Sequence, residues 1–262
     1  MPILCYEVTG ACCPNPRSTT GALDGQLGAV LKWDHEAANA QIYAELAANR
    51  LALFLGIPVL VGVPARGAPP DNRLRFACLR VAEAGLDVYD FTAEDRDELE
   101  TDDDAPLPSG AFCSGGHVRQ VAAMCRKYPL EAASIAVFDL WIGNEDRALN
   151  FKAQLRGEKR GVIFALDQGS SLLAARATVE KSLDVLGQPL FPAFHPFQKL
   201  VNPRYCGAMV ERICSMPDWA ILAATTYDDT VGNVTLDEQY AACALLIERK
   251  RFLGELVDRV LL

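Results

Sequence analysis

One segment, residues 138–169, constrains the fold of this chain more than any other. The apolar stretch Ala132–Trp141 predicts a helix that ends at a glycine, and a polar loop of residues 144–150 follows it. Two short apolar runs, Phe151–Leu155 and Gly161–Leu166, then flank a charged turn that contains glycine. This arrangement predicts a β-hairpin.

The predicted hairpin returns the chain to its starting point and gathers polar side chains there. Asp167 follows the second strand directly, so we expect it beside Asn150 and close to Asp146. Two carboxylates and an amide oxygen suit a hard divalent cation that also carries phosphates. A carboxylate at the end of an apolar run is costly unless it is paired or bound to a metal. Asp146 and Asp167 are therefore predicted to be functional residues, although a charged loop residue is more often simply part of the surface.

The loop and hairpin resemble the catalytic core of protein-kinase-like phosphotransferases, where a loop with Asp and Asn leads through a hairpin to an Asp-x-Gly metal site. They are most similar to the HipA-like kinases and their short bacterial relatives. Those proteins carry a loop close to N-x-D-R followed by Asn, and often I-D-x-G at the metal site. Here the loop reads Asn144-Glu145-Asp146-Arg147 before Asn150, and the metal motif reads Leu166-Asp167-Gln168-Gly169. Asn150 follows Asp146 with one residue fewer than is usual in the related loops.

The resemblance implies an α+β, two-lobed, protein-kinase-like fold with ATP in the cleft between the lobes. Asp146 would orient the attacking hydroxyl and accept its proton, while Asp167 and Asn150 would hold Mg²⁺ on the phosphates. The β-rich N-terminal lobe would span residues 1–85 and the mainly helical catalytic lobe residues 86–262.

The first part of the chain follows the element order of such an N-terminal lobe. We predict an amphipathic helix over Asn39–Gly56, which Gly56 ends and Pro58 prevents from continuing. The other elements are predicted to be strands and one loop: strands Ile3–Val8, Gly28–Trp33, Val59–Val63 and Arg73–Val81, and a Gly/Pro/Ser/Thr-rich loop Thr9–Gly21.

Further candidate site residues lie within these elements. Lys32 ends a strand and Glu45 borders the apolar face of the helix; each alone is commonly a surface residue. Together with the downstream motif they resemble the kinase lysine that binds phosphates and the glutamate that positions it. Ser18 and Thr19 lie where a phosphate-covering loop belongs, and nucleotide binding and an ordinary turn are equally supported there. Glu83, just after the last strand, would lie beside the adenine.

Composition narrows the possible classes of protein. Half of the 262 residues are hydrophobic and 23% are charged, which is typical of a globular domain. A net charge of −9 argues against direct binding of nucleic acid. Nine cysteines show no CxxC pair, so we expect reduced thiols in a cytoplasmic protein. The sequence shows neither a signal peptide nor an apolar run long enough for a membrane.

The rest of the sequence is predicted to be mainly helical. Candidate helices are 118–128, 130–142, 206–223 and 236–262, with an irregular stretch Gln188–Tyr205. Thr92–Asp104 is strongly acidic and is predicted to be a solvated surface loop. The three histidines lack metal-ligand spacing, and no G-x-S-x-G elbow of a hydrolase is present.

These observations favour an ATP- and Mg²⁺-dependent kinase acting on a hydroxyl acceptor. A protein serine or threonine is the acceptor that the family resemblance implies, and a small-molecule acceptor remains open. A second hypothesis is a non-catalytic, nucleotide-binding pseudokinase, which the short Asp146–Asn150 spacing and the glycine-poor loop support. A third is an unrelated enzyme that uses Asp146 and Asp167 as a general acid and base without ATP.

Overall fold

The computed structural model describes residues 4–36, 38–83, 88–91, 115–157 and 161–262. It is an α+β protein with a β-rich N-terminal lobe and a mainly helical C-terminal lobe. The N-terminal lobe contains β1 (Val8–Pro14), β2 (Leu23–Leu27), β3 (Ala29–Lys32), α1 (Gln41–Leu55), β4 (Gly62–Arg66) and β5 (Leu74–Leu79). The C-terminal lobe contains β6 (Tyr89–Asp90), α2 (Gly115–Lys127), α3 (Pro129–Ile142), β7 (Phe151–Ala153), β8 (Ile163–Ala165), a 3₁₀ turn (Leu172–Ala174), α4 (Val179–Leu186), α5 (Pro203–Cys214), α6 (Asp218–Thr225), α7 (Leu236–Arg249) and α8 (Leu253–Val260).

Within the described residues the strands form three antiparallel sheets. β1 pairs with β2, β5 lies between β3 and β4, and β7 lies between β6 and β8. Phe151 on β7 lies opposite Ala165 on β8, so the predicted hairpin is confirmed. A parallel bridge between Val59 and Ala165 links this hairpin to the segment after α1.

Two strands of the N-terminal lobe lie further along the chain than predicted. The strand expected at Ile3–Val8 begins at Val8 and includes the first part of the expected loop, because β1 pairs with β2 through a bulge between Thr9 and Cys13. The strand expected at Val59–Val63 becomes β4. The side chain of Asn49 binds the carbonyl of Leu60 and the amide of Gly62, and so holds the chain before β4 in a non-strand conformation.

Two helices position the site. α1 ends at Gly56, whose left-handed φ of +70° suits glycine. α3 starts with Pro129 in its first turn and is buried from Glu131 to Ile142, so it forms the centre of the C-terminal lobe. It ends at Gly143 (φ +73°), where the side chains of Leu186 and Phe191 leave no room for a Cβ. The polar loop of residues 144–150 therefore starts from a rigid, buried support.

The two long C-terminal helices that the sequence predicts are each divided. The stretch 206–223 forms α5 and α6, because Pro217 has no amide hydrogen to continue a helix. The stretch 236–262 forms α7 and α8, and the chain turns just after Arg249, whose guanidinium is buried under the end of α3.

The described residues test several other expectations. No helix among them has the length and apolar character of a membrane span. None of the cysteines in this part of the chain forms a disulfide. The expected lobe boundary between residues 85 and 86 and the acidic stretch Thr92–Asp104 lie outside the described residues.

Candidate functional site

A cavity of about 650 Å³ lies between the β3–β5 sheet and the β7–β8 hairpin. Its apolar lining comes from both lobes and comprises Val30, Leu60, Leu79, Val81, Phe164 and Leu166. Its polar lining includes Lys32, Asn150 and Asp167. An apolar cavity with a few convergent polar groups is the usual form of a small-molecule site, and this volume lies within the range of such sites.

Lys32 connects the two lobes at this cavity. Its Nζ lies 2.5 Å from Oε1 of Glu45 on α1 and 2.7 Å from Oδ1 of Asp167 after β8. Glu45 is 1% exposed, so its carboxylate is almost fully removed from water. The expected contact between Lys32 and Glu45 is therefore present, and Asp167 is a second partner.

The side chains of Lys32, Glu45 and Asp167 shift one another's pKa values. Burial alone would lower the pKa of Lys32, but the carboxylates of Glu45 and Asp167 raise it above its ordinary value. Burial raises the pKa of Glu45 to about 7, against the opposing effect of Lys32. Burial also acts to raise the pKa of Asp167, yet Lys32 outweighs it and the pKa is lowered. At neutral pH, Lys32 is thus a cation and Asp167 an anion.

Asp146 lies at the exposed side of the polar loop, and its neighbours fix its backbone. Its amide donates to Oδ1 of Asn144 (3.0 Å), and its carbonyl accepts from Nδ2 of Asn150 (2.7 Å). Oδ2 of Asp146 lies 3.5 Å from the hydroxyl of Ser170. Partial burial and the nearby carboxylate of Asp167 raise the pKa of Asp146.

Asp167 and Asn150 are adjacent, as the hairpin predicts. The amide of Leu166 donates to the carbonyl of Asn150 (2.8 Å). Asp167 has a φ of +45°, in the left-handed region that aspartate tolerates better than most residues. Its Oδ1 accepts from the amide of Gly169 (3.2 Å), so the turn after the carboxylate fixes its orientation.

The described residues contain no group of three or more His, Cys, Asp or Glu side chains that could hold a metal ion. Mg²⁺ commonly binds through one or two carboxylates together with substrate phosphates and water. The carboxylate of Asp167 and the neighbouring Asn150 fit such an open site, with the remaining ligands supplied by a nucleotide.

The structure does not bring Ser18 and Thr19 to the cavity. They lie in the turn between β1 and β2, a two-stranded sheet that is largely exposed. The hydroxyl of Ser18 accepts from the amides of Ala22 (2.8 Å) and Thr20 (3.2 Å) and so stabilises the turn itself.

Glu83 does line the cavity, but its carboxylate is paired with a second lysine. Nζ of Lys152 on β7 lies 2.8 Å from Oε1 of Glu83 and 3.1 Å from Oδ2 of Asp90. This pair links the segment after β5 to the β6–β7 sheet, a contact that the sequence did not suggest.

Sequence reasoning also missed a buried network beneath the polar loop. Asp139 on α3 and His195 are both fully buried, and Asp139 binds the guanidinium of Arg147. A carboxylate within the apolar stretch Ala132–Trp141 was the available signal, since a buried charge requires a partner.

Comparison with solved structures identifies the fold. The chain matches the proinflammatory kinase CtkA of Helicobacter pylori with a TM-score of 0.57 and 17% identity, over 95% of this chain and 96% of that one. HipA of Shewanella oneidensis, from its complex with HipB and operator DNA, matches with a TM-score of 0.50 and 14% identity, over 98% of this chain and 68% of that one. The chain has a HipA-like kinase fold. Searches against family models and against curated proteins found no match.

Proposed function

We propose that this protein, which has a HipA-like kinase fold, is an active phosphotransferase that transfers the γ-phosphate of ATP to a hydroxyl group. The observation that carries the proposal is the placement of Lys32 between Glu45 and Asp167 at the edge of the cavity. In kinases, an assembled lysine–glutamate pair beside the metal-binding aspartate marks the active arrangement.

The cavity would receive the nucleotide. Its apolar lining from both lobes suits a flat adenine ring, and the segment after β5 supplies Val81, Ala82 and Glu83 at its wall. Lys32 would bind the α- and β-phosphates, and Glu45 would keep it aimed at them. Asp167 and Asn150 would hold Mg²⁺, which, when bound, neutralises charge on the β- and γ-phosphates.

Asp146 would act on the acceptor. Its exposed carboxylate can accept a hydrogen bond from an incoming hydroxyl and take its proton as the new bond to phosphorus forms. A raised pKa suits this role, because a base works best when its pKa approaches the working pH. From the family resemblance we propose a protein serine or threonine as the acceptor.

Two measurements test the proposal. Mg²⁺ and ATP should raise the melting temperature of the protein, and labelled ATP should transfer phosphate to the protein or to an added acceptor. Asp146→Asn should lower transfer by roughly 10²–10⁴-fold. Asp184→Asn, at an exposed position on α4, is the matched control and should retain full transfer. Equal transfer by both variants would rule out Asp146 as the base.

A non-catalytic nucleotide-binding protein is the second candidate. Two observations favour it: the side chain of Asn150 donates to the backbone of its own loop, and the β1–β2 turn does not line the cavity. A rise in melting temperature with ATP but no transfer of phosphate by any preparation would favour this alternative.

A further inference from the structure

A buried polar network centred on Asp139 lies directly beneath the polar loop. The carboxylate of Asp139 accepts from Nε of Arg147 (2.7 Å) and from Nη2 of Arg147 (2.9 Å). It also accepts from Nδ2 of Asn144 (2.9 Å) and meets Nε2 of His195 at 3.2 Å. All four residues are at most 1% exposed. Asp139 therefore satisfies its acceptor capacity without water.

Arg147 connects this network to the backbone on both sides of the proposed metal site. Its Nη1 donates to the carbonyl of Asn150, and to the carbonyl of Leu166 at 2.5 Å. Asn150 is itself a proposed metal ligand. Leu166 directly precedes Asp167, which is the other proposed ligand. One planar guanidinium thus joins α3, the polar loop and the end of β8, a geometry that a lysine ammonium cannot reproduce.

Asn144 connects the network to Asp146, the proposed base. While its Nδ2 donates to Asp139, its Oδ1 accepts from the amide of Asp146 (3.0 Å). The backbone position of Asp146 is therefore fixed by the same carboxylate that orients Arg147.

His195 completes the set of donors to Asp139. The amide of Phe197 donates to Nδ1 of His195 (3.1 Å), so the ring proton lies on Nε2 and points to Asp139. Burial lowers the pKa of His195, which agrees with a neutral ring that donates one hydrogen bond. Among the described residues, His195 forms hydrogen bonds with Asp139 and Phe197, and neither of these lines the cavity.

We infer that Asp139 and His195, acting through Arg147 and Asn144, are positioning residues that set the separation of the base from the metal-binding side chains. The inference rests on the proposed function. A buried ion pair is weak evidence for stability by itself, because desolvation offsets its attraction. A role in geometry accounts for what stability does not, because Arg147 and Asn144 both extend from Asp139 to the backbone of the candidate site.

The chain supplies a matched control in Arg249. Its guanidinium is equally buried and binds the carbonyls of Leu140, Trp141 and Leu186. None of these acceptors belongs to the polar loop or to the residues around Asp167. Arg249→Lys should therefore destabilise the protein without altering the site, whereas Arg147→Lys should alter both.

The experiment measures transfer kinetics and the Mg²⁺ dependence of binding of a non-hydrolysable ATP analogue, with unfolding by urea alongside. For Arg147→Lys we expect kcat to fall roughly 10²-fold, as a small misplacement of reacting groups allows, with little change in KM for ATP. The Mg²⁺ concentration for half-maximal binding should rise roughly 10-fold. Arg249→Lys should leave both values unchanged. Equal effects in the two lysine variants, or none in Arg147→Lys, would overturn the inference.

Substitutions at His195 provide a gentler test that does not disturb a charge. His195→Leu removes the donor to Asp139 and should lower kcat by roughly 10-fold, with KM for ATP unchanged. His195→Gln offers an amide donor in a similar place and should restore most of kcat. Loss of stability without loss of kcat in His195→Leu would contradict a positioning role.

The same variants separate failure of this inference from failure of the proposed function. If the wild-type protein transferred no phosphate, the proposed function would be wrong. Amide hydrogen exchange of residues 144–150 and 166–169 would still test whether the network positions these two segments. Faster exchange there in Arg147→Lys than in Arg249→Lys supports it, and equal exchange refutes it.

Discussion

Replacing Lys32 by methionine would leave two carboxylates facing each other at the edge of the cavity. Lys32 lies 2.5 Å from Glu45 and 2.7 Å from Asp167, and it has an apolar stem that methionine replaces well. Replacing Glu45 by glutamine is a milder change, because Lys32 keeps Asp167 as a partner. The two single variants should therefore differ in stability, although they remove the two ends of one ion pair.

The exposure of each partner sets the size of the difference. Glu45 is 1% exposed, and removing the partner of a buried charge costs about 3–5 kcal/mol. Asp167 is 36% exposed, so solvent screens its share to about 1 kcal/mol at most. We expect Lys32→Met to lose about 3–5 kcal/mol of unfolding free energy at pH 8. Glu45→Gln, which exchanges a charged for a neutral hydrogen bond, should lose about 1–2 kcal/mol.

The pKa of Glu45 determines how the stability loss in Lys32→Met changes with pH. Burial already raises the pKa of Glu45 to about 7, and removing Lys32 removes an attraction that lowers it. A carboxyl whose pKa is higher in the folded than in the unfolded state binds its proton more tightly when folded. Its stabilising contribution is complete below the unfolded pKa and is lost as pH rises through the folded pKa. The deficit of Lys32→Met should therefore be smaller at pH 5 than at pH 8.

Urea unfolding without nucleotide, at both pH values, measures these differences. The double variant Lys32→Met with Glu45→Gln should be more stable at pH 8 than Lys32→Met alone, because no buried charge at Glu45 remains. The reasoning fails if Lys32→Met is as stable as Glu45→Gln at pH 8, or if its deficit does not change with pH.

Four further variants test the site and its support. Asp146→Ala should retain binding of Mg·ATP while losing phosphate transfer, whereas Asp167→Ala should lose both; calorimetric titration beside a transfer assay distinguishes them. Asn150→Ala should raise the Mg²⁺ concentration needed for half-maximal transfer more than it changes KM for ATP at saturating Mg²⁺, and an unchanged Mg²⁺ requirement would exclude Asn150 as a ligand. Gly62→Ala would place a Cβ 1.9 Å from the ring of Phe76, so it should cost roughly 1–3 kcal/mol of unfolding free energy in urea.

The parts of the site that the sequence could predict are the local ones. A hairpin fixes which residues meet across it, so the proximity of Asn150 and Asp167 follows from the two apolar runs and the turn between them. The HipA-like fold was also predictable, because the order of strands and helices and the Asp-x-Gly motif are features of the linear chain.

The parts that the sequence could not predict depend on long-range packing. A helical wheel places Glu45 just outside the apolar face of α1, yet it is 1% exposed, because α1 is covered both by the sheet and by α6. The contact of Asp139 with His195 joins residues 56 positions apart, and no local pattern specifies it. Ser18 lies in the turn of the separate β1–β2 sheet, where its hydroxyl binds the turn itself.

Helix α1 of the N-terminal lobe is also attached to the C-terminal lobe. The hydroxyl of Tyr43 donates to the carbonyl of Thr225 at the end of α6 (2.9 Å). Asp34, two residues after the end of β3, accepts from the amides of Ile42 in the first turn of α1 (2.9 Å) and of Asn233 (3.1 Å). These contacts attach both α1 and the segment after β3 to the larger lobe.

The ion pairs of Lys32 with Glu45 and Asp167 connect these parts of the protein at the cavity. Glu45 lies on α1, which packs against both α6 and the sheet of β4 and β5, and Asp167 lies on the C-terminal lobe. Lys32 comes from β3, whose sheet is the other wall of the cavity. Lys32 thus joins the sheet to one carboxylate on α1 and to another on the C-terminal lobe. A larger distance between the sheet and the C-terminal lobe would break the contact of Lys32 with Asp167, so the charge placement at this site depends on the geometry of the cleft.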